Sequence, residues 1–224
     1  MIEWFLPQVS TYAWKIDWLI AFILVLTGFW FFAALGMFFK LIWDGRASQV
    51  EKAEYLVGNE KHVKVWISRP HYIIIFLDIF IIIGAIYVWY TVKQDLPEPD
   101  AEIRVIGQQW AWTFEHEGPD GELGTEDDIR TVDEMHIEVD KLYHYKLQSR
   151  DVLHDFSVPV FRLKHDAIPG REITGWFEAT QTGEYDIQCA EICGIGHGLM
   201  VAKLYIHSPE DYAAWMNKMS AARK

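Results

Sequence analysis

Two membrane-spanning helices followed by an all-β Greek-key domain is the fold class that this sequence predicts, on three observations. Residues 18–39 hold no charged side chain over 22 positions, and about 20 apolar residues suffice to cross a bilayer core. Residues 71–92 repeat the pattern with Asp78 as their one charge. From Glu102 onward the chain turns to short runs that alternate apolar and polar side chains, broken by Gly, Pro and Asp, the mark of strands in an antiparallel sandwich or barrel. The expected division is a helical hairpin over residues 1–94, with spans at about 17–40 and 71–93, and a β domain over 95–224.

The first span is too long for a secretory signal, and Phe29, Trp30, Phe31, Phe32 and Met37 fill the end where a cleavage site needs small residues. The connection carries Arg46, Lys52, Lys61, Lys64 and Arg69, whereas only Lys15 precedes the first span. The positive-inside rule puts that connection in the cytoplasm or matrix and both termini outside. Asp78 in the second span is either functional or hydrogen-bonded between helices.

In the β domain, the alternating runs fall at 103–106, 135–139, 143–147, 173–179, 183–189 and 200–206. A short helix closes the chain, with Ser208 as N-cap, Pro209 at the first helical position and two acids in the first turn. Residues 95–224 contain 25 acids against 12 Lys and Arg, while residues 1–94 contain 7 against 8. The acidity therefore belongs to the β domain, where it repels nucleic acid and either steers a basic protein partner or keeps the domain soluble.

The chemistry concentrates in residues 189–200, where Cys189, Cys193, His197 and Met200 share one loop. Thiolate and thioether ligands are soft, and with imidazole they favour copper over calcium, magnesium or a structural zinc. Two cysteines can bridge two metal ions, and His154 is the best source of a second imidazole. A Cys189–Cys193 disulfide is the alternative, but it leaves His197 and Met200 beside it without a role. No Cys-x-x-Cys-His occurs, so no fused c-type haem is expected. The acidic run 118–128 could bind calcium, but Gly124 breaks the EF-hand pattern and a solvated turn is expected.

The segments Gly107-Gln-Gln-Trp-Ala-Trp112, Asp151-Val-Leu-His154, Asp166-Ala-Ile-Pro-Gly-Arg171 and the loop from Cys189 to Met200 resemble cytochrome c oxidase subunit II, over nearly the whole chain. The resemblance implies a cupredoxin-like Greek-key barrel with a dinuclear CuA centre. It takes single electrons from cytochrome c, or another c-type cytochrome, and passes them to haem a of subunit I. Oxygen is reduced there, at an a3-type haem and CuB, with proton pumping. Subunit III and membrane lipid are further implied partners. The setting is the bacterial plasma membrane or the mitochondrial inner membrane, with the β domain on the periplasmic or outer side.

By the same resemblance, Cys189 and Cys193 bridge the coppers, His154 and His197 supply one imidazole each, and Met200 is the weak axial ligand. Glu191 lends its carbonyl to a copper and its carboxylate to a magnesium or manganese ion shared with subunit I. Trp110 is where electrons enter, and Trp112 is core. Gln108 and Ala111 stand where the family has His and Tyr, which bears on local docking contacts. Glu115, Glu117, Asp120, Glu122 and Asp151 are the expected acidic ring for docking. Trp66 and Pro70 match a family element near the second span, but Val63 replaces its proton-path Glu, leaving Glu60 or Asp78 as substitutes. His116, His136, His144, His165 and His207 are read as surface or strand residues. A membrane-anchored copper carrier or structural metal module is the competing reading, and it would need neither Trp110 nor Glu191.

Overall fold

The computed structural model describes residues 5–46, 48 and 57–222. They form two compact units, one of residues 17–90 and one that joins residues 5–16 to 91–222. The domain boundary expected after residue 94 thus lies at Tyr90, and the first residues, expected with the hairpin, group with the β domain.

The hairpin unit consists of α1 (Ala13–Asp44) and α2 (Lys61–Trp89), each long and apolar enough to cross a membrane. Their outward faces carry Phe29, Phe32, Ile75 and Ile83, as lipid solvation requires. The helices approach at Gly84, where an added Cβ would sit 3.2 Å from Leu19. The second helix starts ten residues earlier than the apolar run suggests, at Lys61, and encloses Pro70. Proline removes one i to i−4 hydrogen bond, but Val65, Trp66 and Ile67 extend the apolar surface through it. Asp78 shares a small cavity with Thr27 and Trp30.

The other unit is built on ten strands in two five-stranded sheets. One has the order β3-β2-β1-β5-β8 and the other β4-β10-β9-β6-β7. The first comprises β1 (Ala101–Gln108), β2 (Ala111–His116), β3 (Ile129–Val132), β5 (Leu142–Ser149) and β8 (Ile173–Glu178). The second comprises β4 (Glu134–Glu138), β6 (His154–Val158), β7 (Leu163–Ala167), β9 (Gly183–Cys189) and β10 (Val201–His207). Parallel pairing of β1 with β5 and of β4 with β10, amid antiparallel neighbours, closes the cupredoxin-like sandwich. Trp112, Phe114, Tyr143, Tyr145, Phe156 and Phe177 fill its core.

Four strands, β2, β3, β6 and β7, lie outside the alternating runs read from the sequence. The reason is plainest in β2, where five consecutive side chains from Trp112 to His116 are buried, so no polar face alternates with the apolar one. The C-terminal helix α3 (Pro209–Ala222) starts as expected, Ser208 Oγ accepting from the Asp211 amide at 3.2 Å. Its Trp215 stacks on His136 at 4.4 Å and meets His116 edge-on at 5.1 Å. His116 is therefore interior, 1% exposed, and of the two expected places, surface or strand, it takes the strand, closing β2. Burial pushes His116 down to about 3 and His136 to about 4, and a neighbouring histidine adds to each shift. His136 Nδ1 and His207 Nε2 lie 2.8 Å apart. His144 and His165 are strand residues, His165 meeting the Tyr145 hydroxyl at 2.8 Å.

Residues 9–12 fasten to the β domain. The Val9 amide donates to Val160 O at 3.0 Å, the Thr180 amide to Val9 O at 2.8 Å and the Thr11 amide to Glu178 O at 3.1 Å. Tyr12 is buried edge-on to Trp176. These bonds cover the end of β8, an edge strand whose free amides and carbonyls would otherwise be exposed.

Candidate metal centre

Three elements converge at one end of the sandwich: the start of β6, the end of β9, and the loop that leads into β10. Cross-strand pairing sets Phe156 opposite Cys189, which brings His154, two residues earlier, beside the sulfur. The Cys189 amide donates to Met200 O at 3.1 Å and the Ala190 amide to Asp155 O at 3.1 Å, so both feet of the loop are tied. Inside it, the His197 amide donates to Gly194 O at 3.2 Å and the Met200 amide to His197 O at 3.3 Å, folding residues 197–199 into a 3-10 turn. Gly194 makes the turn possible, since its φ of +121° is open to glycine alone.

The result is a cluster of soft donors. The two sulfurs are 3.7 Å apart, far beyond the ~2.05 Å of a disulfide, so the expected alternative is not formed here. His154 Nδ1 lies 3.9 Å from Cys189 Sγ, and His197 Nδ1 3.7 Å from Cys193 Sγ. Met200 Sδ is 3.8 Å from Cys193 Sγ, and the Glu191 carbonyl oxygen 3.3 Å from Cys189 Sγ. Metal bonds to sulfur are about 2.3 Å and to imidazole about 2.0 Å, so each of these pairs is close enough to share a metal. His154, Cys189, Cys193 and Met200 are buried.

Protonation follows from this burial. Burial, then the adjacent Cys189, pushes the Cys193 thiol up to about 11. Ligation needs thiolates, so metal uptake must displace protons. His154 Nε2 faces Asp151 Oδ1 at 2.8 Å. That carboxylate accepts from an Nε2–H, which leaves the Nδ1 lone pair aimed at Cys189. Asp151 Oδ2 also accepts from the Gln109 amide at 2.7 Å, linking the β1–β2 turn to His154 through the segment between β5 and β6. Its local hydrogen bonds hold the Asp151 carboxyl below the usual carboxylate range against the effect of burial.

Trp110 lies on the loop. Its Nε1 donates to Cys193 O at 3.3 Å, and Gln109 Nε2 donates to the same carbonyl at 2.8 Å. A Cβ at Gly196 would meet the indole at 2.4 Å. Trp110 is 39% exposed, so it reaches from solvent to the backbone of Cys193. Trp112 is wholly buried, edge-on to His154 at 6.0 Å.

The acidic ring expected around Trp110 is not assembled. β2 has six residues, ~17 Å at about 3.3 Å per residue, and carries Glu115, Glu117, Asp120 and Glu122 toward the end opposite Trp110. Glu115 is buried between Arg104 and Arg130, which hold its carboxyl low against its burial. Glu117 is half-buried and accepts from the Glu102 amide. Only Asp151 of the five stands at the metal loop. Sequence reasoning placed Asp151 in docking and missed its hold on His154; an Asp three residues before a ligand His was the available signal. It also missed Gln109, and Asp155, whose carboxyl is pushed up to about 6 by burial and by Asp166.

Residues 101–205 match the family model for the periplasmic domain of cytochrome c oxidase subunit II. The alternative cytochrome c oxidase subunit 2 of Bradyrhizobium diazoefficiens is 29% identical over 238 residues, covering 96% of this chain and 84% of that protein. Cytochrome c oxidase subunit 2 of Cereibacter sphaeroides is 29% identical over 251 residues, covering 96% and 79%. Among solved structures, the periplasmic domain of subunit II of the Bradyrhizobium japonicum cytochrome oxidase aligns over 57% of this chain and 99% of that domain, with 28% identity and a TM-score of 0.51. With its two apolar helices, cupredoxin-like sandwich and His154, Cys189, Cys193 cluster, this chain is similar to cytochrome c oxidase subunit II over nearly its whole length, and its residues 101–205 match that family's periplasmic domain.

Proposed function

We propose that the chain is the electron-receiving subunit of a cytochrome c oxidase, holding a dinuclear copper centre between Cys189 and Cys193. The observation that carries this reading is the pairing of the two sulfurs, 3.7 Å apart, with an imidazole Nδ1 beside each. When bound, the copper pair supplies a one-electron redox couple shared between two ions. The protein's part is to hold the donors still. Asp151 fixes the His154 tautomer, the backbone bonds at Cys189 and Ala190 fix the loop, and burial excludes water.

Trp110 is the proposed site where electrons enter from a c-type cytochrome, through its contact with the Cys193 carbonyl. The Glu191 carboxylate is proposed to hold magnesium or manganese with subunit I, which accepts the electrons at haem a and couples oxygen reduction to proton pumping. Subunit III and lipid complete the proposed surroundings. The attachment of residues 9–12 to the β domain supports an arrangement with both termini on the outer side, in a bacterial plasma or mitochondrial inner membrane. Glu60 or Asp78 is the proposed proton-path carboxylate.

Copper analysis and electron paramagnetic resonance of the intact detergent-solubilised complex test the reading. Two coppers per chain at this site, with one unpaired electron delocalised over both, are expected. A single copper with a localised signal, or zinc, would turn the chain into a copper carrier or structural module.

A further inference from the structure

Given the electron-transfer role proposed above, we propose that the donor docks on an apolar, nearly charge-free face formed by Trp110 and the metal loop, in place of the acidic ring that the sequence suggests. Ile195 is 97% exposed, Leu199 83% and Ile192 71%. Ile195 stands between Gly194 and Gly196, and added Cβ atoms at those two positions would meet the Trp110 ring at 3.2 and 2.4 Å. The indole therefore lies against the loop backbone on both sides of Ile195. Val152 and Leu153, 36% and 37% exposed, extend the face from Asp151, which is bonded to the Gln109 amide next to Trp110.

Three charged side chains border this face: Asp151 and Arg150, both hydrogen-bonded, and Glu191, which is half-buried beside Ile192. The Asp151 carboxylate accepts from the amides of Gln109 and Val152, both at 2.7 Å, and faces His154 Nε2 at 2.8 Å. Arg150 Nη1 donates to Gln108 Oε1 at 2.8 Å. Glu115, Glu117, Asp120 and Glu122 belong to the opposite end of β2. Large aliphatic side chains exposed together on a tied loop mark an interaction site, and an uncharged face is matched by an uncharged one. The occupant that fits is a redox protein whose haem edge is ringed by apolar, uncharged side chains. Association on such a face depends little on salt, whereas steering between charged rings falls steeply with it.

The test uses the intact oxidase complex and stopped-flow reduction of its copper centre by two probes, a c-type cytochrome with an uncharged haem-edge face and a strongly basic cytochrome c. Between about 10 and about 300 mM salt, the rate with the uncharged-face probe should change less than about twofold. Ile195→Lys should slow that probe about tenfold, as loss of a central contact does, while Ile195→Val and Glu122→Gln stay near the parent rate. The copper spectrum, read after dithionite reduction and reoxidation, should be the same in all variants. Docking on this face is overturned if the basic probe is the faster one at low salt with a steep salt dependence. It is equally overturned if Ile195→Lys leaves the rate unchanged, or if hydrogen exchange shows Ile195 covered by another subunit in the donor-free complex. In those cases an intact copper spectrum preserves the electron-transfer reading. A complex with no dinuclear signal sinks both.

Discussion

The loops at the two ends of β2 are both rich in metal-ligand residue types, and they behave differently. At the Trp110 end, residues 189–200 together with His154 turn two sulfurs, two imidazole nitrogens, a thioether and a carbonyl toward one another, with backbone bonds anchoring only the frame. At the His116 end, the acids of residues 118–128 are spent on the loop itself. Asp127 Oδ2 accepts from the Asp120 amide, Asp120 Oδ1 from the Glu122 amide, and Asp128 from the Gly124 amide. Ligand types in a short run make a site only where the fold leaves their donor atoms convergent and unspent.

Substitutions at the metal loop should be decisive. Cys193→Ser removes one of the two sulfurs proposed to bridge the coppers and should abolish the dinuclear signal, leaving at most one copper; retention of two coppers with a delocalised electron would break the contrast between the loops. Asp151→Ala takes away the group that orients His154, and loss of such a partner lowers metal affinity by roughly 10 to 100-fold. Competition with a copper chelator measures this. Trp110→Phe should slow reduction by a c-type cytochrome and leave the copper spectrum intact, and an unchanged stopped-flow rate would remove Trp110 from the electron path.

The other end of β2 should answer to pH. His116 and His136 have an ordinary value of 6.5, and in the fold burial depresses them to about 3 and about 4. The unfolded chain therefore takes up protons that the native one refuses, and stability present above pH 6.5 is lost as pH falls toward 4. Fluorescence of Trp215, with its neighbours, should report undocking of α3 in that window, more strongly than any change at the copper loop. His136→Phe should flatten the response. The smallest effect is expected in the acidic loop, where Asp127→Asn should leave the melting temperature the same with and without millimolar calcium; a calcium-dependent rise in the parent protein would make the two loops alike after all.

How much of this was legible in the sequence depended on the range of the interaction. The cluster of soft donors was, because Cys189, Cys193, His197 and Met200 crowd into residues 189–200 and do converge with His154, and so were the two long apolar helices, which composition alone defines. Glu115 was misplaced because nearness in sequence to Trp110 became distance along a strand. For His116 the choice between surface and strand stayed open, because a histidine in a buried strand gives no pattern to distinguish it from one on a surface. Asp151 was noticed for its charge and not for its hold on His154, although that contact is local, and its further bond to the Gln109 amide exists only when the segment before β6 and the β1–β2 turn meet. The attachment of Val9 to Val160 and Thr180 left no trace at all, since a strip of a few residues is too short to show alternation.

That attachment sets an order of events during synthesis. The residues that close the edge of β8 are made some 170 residues before their partners at Glu178 and Thr180, so this segment must wait through the synthesis of both long apolar helices and most of the sandwich. Contacts of such long separation form late in folding. Until residues 173–180 are made, the β5 edge on which β8 pairs stands open, and the nascent chain is at its most exposed to pairing with the wrong strand, at a time when its metal loop, residues 189–200, has yet to be made.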